Sequence, residues 1–584
     1  MPVSSHNLSA RFNSVAVLSL LSKNERRQYF VLMLVLIANA IFETMTLGLI
    51  VPVTSTLSNT DSSNFLTRFL LGIGFSDRDQ LVVGIVFVFC FAYIVKSLTT
   101  LGALWFQRRF CAKVERRLGA DLFEFYVRQP YEFFVRTNSS LLIRNTSNAT
   151  LVTGSTLEPF LIFSAEASIA LAIVFFMIYS QPLATIIVGL FVTILILGFH
   201  RLTRQKLSKY GEVKNQNEQE RVQLMLETYS GIKDVKILGR EDYFVSRYRS
   251  NSFSIADSSK KYQFIQGMPR TILETCAVMG MAVTVLVVTK QNNSSADVLP
   301  VIALFSMAAF RLMPSANRLL NCFQAMRFHS SMVEDVIQQF ELVGRREQQP
   351  QVSTASSMVP SSIEIRNLTF YYHGSDTPSL IDINLKVQAG NSVAISGPSG
   401  SGKTTLVNVI LGLLSPSSGS IFLDGIDVTK QTERWKGQIG YVPQDIFLTD
   451  DTIRNNIAFG IENDQIDEIS VNRAVELSHV SHFIEQLPDG LNTLVGERGI
   501  RLSGGQRQRI GIARALYTNP SIIIFDEATS ALDNETESAV VEAINSLQLG
   551  RTLFVIAHRE STLRHCNVAI TMINGRLVSN PVGN

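Results

Sequence analysis

Residues Ser392 to Thr405 read SVAISGPSGSGKTT, an apolar strand running into the pattern G-x-x-x-x-G-K-[ST]. In such a loop Gly397, Pro398, Ser399, Gly400, Ser401 and Gly402 turn the backbone so that its N–H groups face phosphate oxygens. Lys403 reaches the β and γ phosphates, Thr404 offers a hydroxyl to Mg2+, and Thr405 continues into a helix. The stretch therefore predicts a site for ATP and Mg2+ on an α/β domain.

Further along, Ser521 to Glu527 (SIIIFDE) is a buried-type strand ending in two carboxylates. Asp526 is placed to hold Mg2+, as a strand-end Asp does in P-loop enzymes, and Glu527 to polarise an attacking water. Between the two strands lies Leu502 to Gln506 (LSGGQ), followed by the helix-compatible RQRIGIARAL.

The chain upstream is of another kind. Of the 584 residues 46% are hydrophobic and only 17% charged, below the roughly 25% of soluble domains, and collagen-like, disordered and disulfide-scaffold classes are excluded. The net charge of +3 hides two halves: residues 1–350 carry +10 and the remainder −7. Cys90, Cys111, Cys276, Cys322 and Cys566 are scattered without metal or redox spacing and read as packing residues. No signal-peptide pattern is expected from Met1 to Leu21.

Six stretches are long and apolar enough to span a bilayer: about Tyr29–Val53, Leu81–Leu104, Phe160–Ser180, Leu183–Phe199, Thr271–Thr289 and Val298–Leu320. Basic residues precede the first span (Lys23, Arg26, Arg27), follow the second (Arg108, Arg109, Lys113, Arg116, Arg117) and follow the fourth (Arg201, Arg204, Lys206, Lys209). By the positive-inside rule these segments and both termini are expected in the cytoplasm. Two cytoplasmic excursions, about Phe106–Pro159 and His200–Arg270, keep helical periodicity, so the spans should continue as helices beyond the bilayer. Their tips, Gln129–Asn138 and Glu227–Phe244, are expected docking elements. In the outer loop, Asn64–Phe75 is too short to span and reads as an interfacial helix or a cap over the bundle.

Charges inside spans are costly and mark function by default; Glu43, Lys96, Glu166, Glu274, Arg311 and Arg318 qualify. Lys96 and Arg311 fall at similar depth, and Arg318 lies two turns beyond Arg311 on the same face. Together they read as a cationic, substrate-lining stripe. Pairing within the bundle, for example Glu43 with Lys96, or snorkelling of Arg318 to the inner interface, is the alternative.

LSGGQ is the signature of the ATP-binding cassette (ABC) family, and residues Ser362 to about Leu577 resemble its cassette in motif order and spacing. The resemblance implies further roles. Gln444 (YVPQ) would act at Mg2+ and in catalysis, Asp533 (SALD) at ATP, and His558 (IAHR) in catalysis. Tyr372 would stack on adenine and Glu497 (VGERG) would couple the domains. Ser503, Gly505 and Gln506 of one copy would close over ATP held by a second, so a homodimer is implied, with both sites competent.

The chain is thus read as multidomain. Residues 1–347 form an all-α six-helix transmembrane bundle with long cytoplasmic helix extensions, 348–361 a polar linker, and 362–584 an α/β P-loop ABC nucleotide-binding domain. This order looks like an exporter-type half-transporter. IFETMTLGLIVPV in the first span and Arg311-Leu-Met-Pro-Ser-Ala-Asn-Arg318 are similar to the bacterial flippases that move lipid-linked oligosaccharide across the inner membrane for protein N-glycosylation. That resemblance implies a polyprenyl-diphosphate glycan as cargo, membrane lipid as a further partner and no nucleic acid. Exporters of another lipid, drug or peptide, and an ATP-gated channel or regulator, are the alternatives.

Overall fold

The computed structural model describes residues 18–48, 78–180, 182–291, 298–344, 362–429, 437–526, 551–556 and 566–578. The expected outer-loop segment Asn64–Phe75 and the linker 348–361 lie outside the described residues. The chain divides into two compact units, Met1–Gln129 with Arg136–Glu347, and Pro130–Val135 with Gln348–Asn584.

The first unit is helical. Its elements are α1 (Lys23–Gly48), α2 (Arg78–Val127), α3 (Tyr131–Arg136, mostly in the second unit), α4 (Ser139–Val152), α5 (Glu158–Ser180), α6 (Pro182–Ser230), α7 (Ile232–Ile237), α8 (Glu241–Gln291), α9 (Val298–Phe328) and α10 (Ser330–Gly344). A π-helical turn, Thr153–Leu157, joins α4 to α5. The long excursions are helical as expected: α2, α6 and α8 run for 50, 49 and 51 residues, far more than the ~20 a bilayer needs. Short helices α3 and α7 sit in the two segments read as docking tips.

Helix α1 shows what solvent these elements suit. Tyr29, Leu32, Leu36 and Ala40 are buried, while Phe30, Leu34, Ile41 and Met45 on the opposite side are exposed, Leu34 by 67%. Apolar residues on both faces suit a helix packed on protein on one side and on lipid on the other. Among the described residues, Val82–Val127 and Ser139–Tyr179 are long and apolar enough to cross a membrane by length and composition. Inside the bundle Ala40, Ile169, Ile173 and Met177 cluster, with Leu312 against them.

The helix extensions beyond the apolar stretches are pinned by polar contacts. Buried Arg144 on α4 donates to Gln219 Oε1 at 2.6 Å and to Asp335 Oδ2 at 3.0 Å, and Asn215 Nδ2 donates to the same oxygen at 2.9 Å. These bonds tie α4 and α6 to α10; Tyr126, donating to Gln339 Oε1 at 3.1 Å, adds α2. A Cβ on Gly211 would fall 1.7 Å from the Phe328 carbonyl oxygen, so only glycine lets α6 cross the α9–α10 junction this closely. Burial pushes the neighbouring His329 imidazole down to about 4, with Lys214 adding to the shift, so it stays neutral near pH 7.

The second unit carries two sheets. Strands β1 (Ser362–Phe370), β2 (Leu380–Gln388), β4 (Ser418–Leu423) and β5 (Ile426–Asp427) pair antiparallel in the order β2-β1-β4-β5. Strands β3 (Ser392–Ser396), β6 (Ile439–Val442), β7 (Ile522–Asp526), β8 (Thr552–Ile556), β9 (Val568–Ile573) and β10 (Arg576–Val578) form the order β10-β9-β3-β8-β7-β6, parallel except for β10. Every residue of β7 and β8 is buried, the continuous apolar run of a sheet covered on both faces. Side chains alternate along β7: Ile523 and Phe525 join the core with helix α15 (Gly504–Tyr517), whereas Ile522 and Ile524 join the core with helix α11 (Lys403–Ile410). Between these helices lie α12 (Ile453–Ile457), α13 (Glu468–Leu477) and α14 (Ser481–Ile484).

Candidate functional site

The parallel sheet gathers the candidate residues on one edge. Ile395 and Asp526 both pair with Ile556, and Val442 pairs with Phe525, so β3, β8, β7 and β6 end in line. The loop 397–402 leaves β3 there, Asp526 closes β7, and Gln444 follows β6 by two residues. Ligands of open α/β sheets bind at such a carboxyl edge. Glu527, Asp533 and His558 lie outside the described residues; in the chain Glu527 directly follows Asp526, and His558 comes two residues after Ile556.

The phosphate loop is built on glycine. Gly397, Gly400 and Gly402 have φ of 141°, 77° and 100°. A Cβ on Gly397 would meet the Met572 carbonyl oxygen at 2.3 Å, and one on Gly402 the Ser379 carbonyl oxygen at 2.7 Å. Gly402 caps α11 in the left-handed conformation, and Pro398, Ser399 and Gly400 are exposed. Lys403 is 6% exposed and donates through Nζ to the carbonyls of Gly397 at 2.8 Å and Pro398 at 3.0 Å. Thr404 is exposed on the first turn of α11, while Ser401 and Thr405 are buried. Tyr372 shares a hydrogen bond of 3.1 Å between its hydroxyl and Thr405 Oγ1, and its ring stands edge-on to Phe370 and is exposed.

Asp526 is 7% exposed and accepts from Tyr441 Oη at 3.3 Å. Burial, then the charge of Asp526 and this bond, push the Tyr441 phenol above its ordinary range, so it remains a donor.

The LSGGQ segment forms the start of α15. Ser503 Oγ accepts from Gln506 N at 3.2 Å, and Gln506 Oε1 accepts from Ser503 N at 2.9 Å, a reciprocal capping box. Gly504 is exposed and Gly505 half-buried, and a helix N-terminus of this kind suits an anion. Arg514, farther along α15, donates to the carbonyls of Asn456 at 2.8 Å and Phe447 at 2.7 Å. The signature helix is thereby tied to the segment that follows Gln444.

Residues 380–530 match the family described as ABC transporter, and residues 29–313 the ABC transporter transmembrane region. An ATP-dependent lipid A-core flippase of Desulfotalea psychrophila is 34% identical over 535 residues, covering 89% of this chain and 90% of that protein. One of the same description from Yersinia pestis bv. Antiqua is 30% identical over 552 residues, 92% of each chain. The chain belongs to the ABC transporter family.

This ABC transporter has the exporter fold, a helical transmembrane domain with a P-loop nucleotide-binding domain. The structure of a bacterial Atm1-family ABC exporter with ATP bound overlays with a TM-score of 0.73 at 23% identity, covering 95% of this chain and 94% of that one. The transporter is a multi-pass membrane protein whose ATP hydrolysis is coupled to translocation.

The loop of the transporter suits a nucleotide phosphate chain: its positive-φ glycines press the turn against Met572 and Ser379, where no side chain fits, and buried Lys403 places its ammonium within the turn. The donors at the sheet edge, the Asp526 carboxylate, the Thr404 hydroxyl and the Gln444 amide oxygen, are all oxygens, the set that Mg2+ prefers. Glu497 is exposed on a short turn whose next residue, Arg498, has φ 52°.

In the transmembrane unit Arg318 Nε meets Glu166 Oε1 at 2.8 Å; the Glu166 side chain is 10% exposed and that of Arg318 48%. Arg318 is therefore held by a bundle carboxylate and does not depend on snorkelling to the interface. Lys96 stands 5.1 Å from the centre of the Tyr93 ring, and Glu274 is paired with Arg270 at 3.0 Å. Arg311 lies on α9, with its side chain, like that of Glu43, outside the described residues. Two contacts have no signal in the residue order: Tyr441 flanks Gln444 within YVPQ but meets Asp526, and the span charge Glu166 finds its partner on another helix.

Proposed function

We propose that the transporter is a homodimeric, ATP- and Mg2+-driven flippase. Its cargo would be a phosphate-bearing glycolipid, in the finer reading a polyprenyl-diphosphate oligosaccharide. It would act in the bacterial inner membrane with both termini and the cassette in the cytoplasm. The observation that supports the cargo reading is that the Arg318 side chain stays 48% exposed although Glu166 pairs with its Nε. A guanidinium has five N–H donors and a carboxylate occupies two at most in a fork. Half-exposed Arg318 thus keeps donors for a phosphate while buried Glu166 fixes its direction. Lys96 and Arg311 would add charge to the same task. Two phosphates do not cross hydrocarbon unaided, which is why a cationic lining is suited to this cargo.

The signature helix supports the dimer reading, since its N-terminus at exposed Gly504 suits the γ-phosphate held by a second copy's loop 397–402. Mg2+ would be held by Asp526, Thr404 and Gln444, neutralising phosphate charge, and Glu527 would orient the attacking water. Glu497 would transmit the resulting movement to the helices. Lipid A-core is the second reading, favoured by the 30–34% identity with flippases named for it.

The two cargo readings separate in one experiment. Purified protein is assayed for ATPase stimulation by a polyprenyl-diphosphate glycan and, in parallel, by lipid A-core. Arg318→Gln is expected to raise the cargo concentration for half-maximal stimulation about tenfold or more, the loss of one charge-assisted contact. Stimulation by neither glycolipid, or a variant responding like wild type, would remove the cargo reading.

A further inference from the structure

We propose that Tyr441 is a positioning residue for the metal-binding carboxylate of Asp526, and thereby sets the affinity of the nucleotide site for its divalent cation. The inference rests on the reading that Asp526 holds Mg2+.

The placement follows from sheet geometry. Tyr441 on β6 pairs in parallel register with Ile524 on β7, so both side chains leave the same face of the sheet. Asp526 is two residues beyond Ile524 and shares that face. It is also the face covered by α11, whose Leu406, Val407, Val409 and Ile410 pack with Ile522 and Ile524, with Tyr441 against the same cluster. The carboxylate and the phosphate loop therefore lie on one side of the sheet. Two residues of strand advance about 6.6 Å, a gap that a shorter side chain at 441 would leave open. The Tyr441 phenol crosses it and donates to Asp526 Oδ2 at 3.3 Å.

That bond occupies one carboxylate oxygen from inside the core, where Asp526 is 7% exposed, and leaves Asp526 less freedom to turn. A ligating carboxylate held by an outer hydrogen bond binds metal more tightly than a free one, and loss of such a partner commonly weakens metal affinity 10–100-fold. Because the Tyr441 hydroxyl is a neutral donor, the low end applies. Tyr441 also lies three residues before Gln444, a second candidate oxygen donor to the same ion, so β6 and the two residues after it supply both a direct donor and the residue that orients Asp526. Tyr131 of α3, within the same compact unit, is near enough to act electrostatically on the Tyr441 hydroxyl.

The test uses the full-length protein and Tyr441→Phe, which removes the hydroxyl and keeps the ring that packs on the core. Mn2+ binding is titrated by electron paramagnetic resonance in the presence of ATP, and ATP binding is measured separately in EDTA. The expected result is about tenfold weaker Mn2+ binding in the variant, with unchanged metal-free ATP binding. An unchanged Mn2+ affinity would overturn the role of Tyr441, as would an equal loss of metal-free ATP binding, which would point to a displaced loop. A wild-type protein that bound no Mn2+ beyond that held by ATP alone would overturn the underlying reading of Asp526.

Discussion

Glu527→Gln is expected to bind ATP with near wild-type affinity and to hydrolyse it 10²–10⁴-fold more slowly, the typical worth of a positioned general base. Strand β7 is entirely buried, delivers Asp526 to the sheet edge and is followed at once in the chain by Glu527. Neighbouring residues at a strand end point in different directions, so two adjacent acids suit two tasks, one at the metal and one at the water. Replacing the second acid by an amide of the same shape keeps the polar contact and removes the basic oxygen. Radiolabelled ATP binding and steady-state phosphate release on the same preparation separate the two quantities. Turnover within threefold of wild type would take Glu527 out of the base role.

Lys403→Ala should fail one step earlier, weakening ATP binding about 10–100-fold, since a charge-assisted bond contributes about 1.5–3 kcal/mol. Lys403 is almost fully buried, and its ammonium bonds the carbonyls of Gly397 and Pro398. In that position it holds the loop in shape and places a positive charge where phosphates arrive. Alanine removes both the charge and the brace. Equilibrium binding of a fluorescent ATP analogue reads the effect directly, and unchanged affinity would contradict the cradle described for loop 397–402. The two variants make opposite patterns: one retains nucleotide and loses turnover, the other loses nucleotide.

Much of this arrangement was legible in the residue order because its determinants are local. The glycines at 397, 400 and 402 announce positive φ, the Ser503–Gln506 spacing announces a capping box, and an apolar run ending in Asp526 announces a buried strand with its acid at the edge. Helical periodicity through 106–159 and 200–270 likewise foretold that the spans continue as long helices. What stayed hidden depends on which strands become neighbours. Tyr441 and Asp526 are 85 positions apart and meet only because β6 lies beside β7. Arg318 and Glu166 meet because α5 packs on α9; a charge count along each span finds both residues but has no means of pairing them. The Arg144–Asp335–Asn215 cluster is of the same kind, assembled from three helices.

Under the proposed function, ATP hydrolysis by this transporter carries a phosphate-bearing glycolipid across a bilayer. Protein is reconstituted in liposomes with a polyprenyl-diphosphate glycan on one face, and exposure of the sugar to an enzyme on the opposite side is followed. Exposure is expected to rise with ATP and Mg2+ and to remain at background with Glu527→Gln. Equal exposure with and without ATP, or undiminished exposure with Glu527→Gln, would contradict that function.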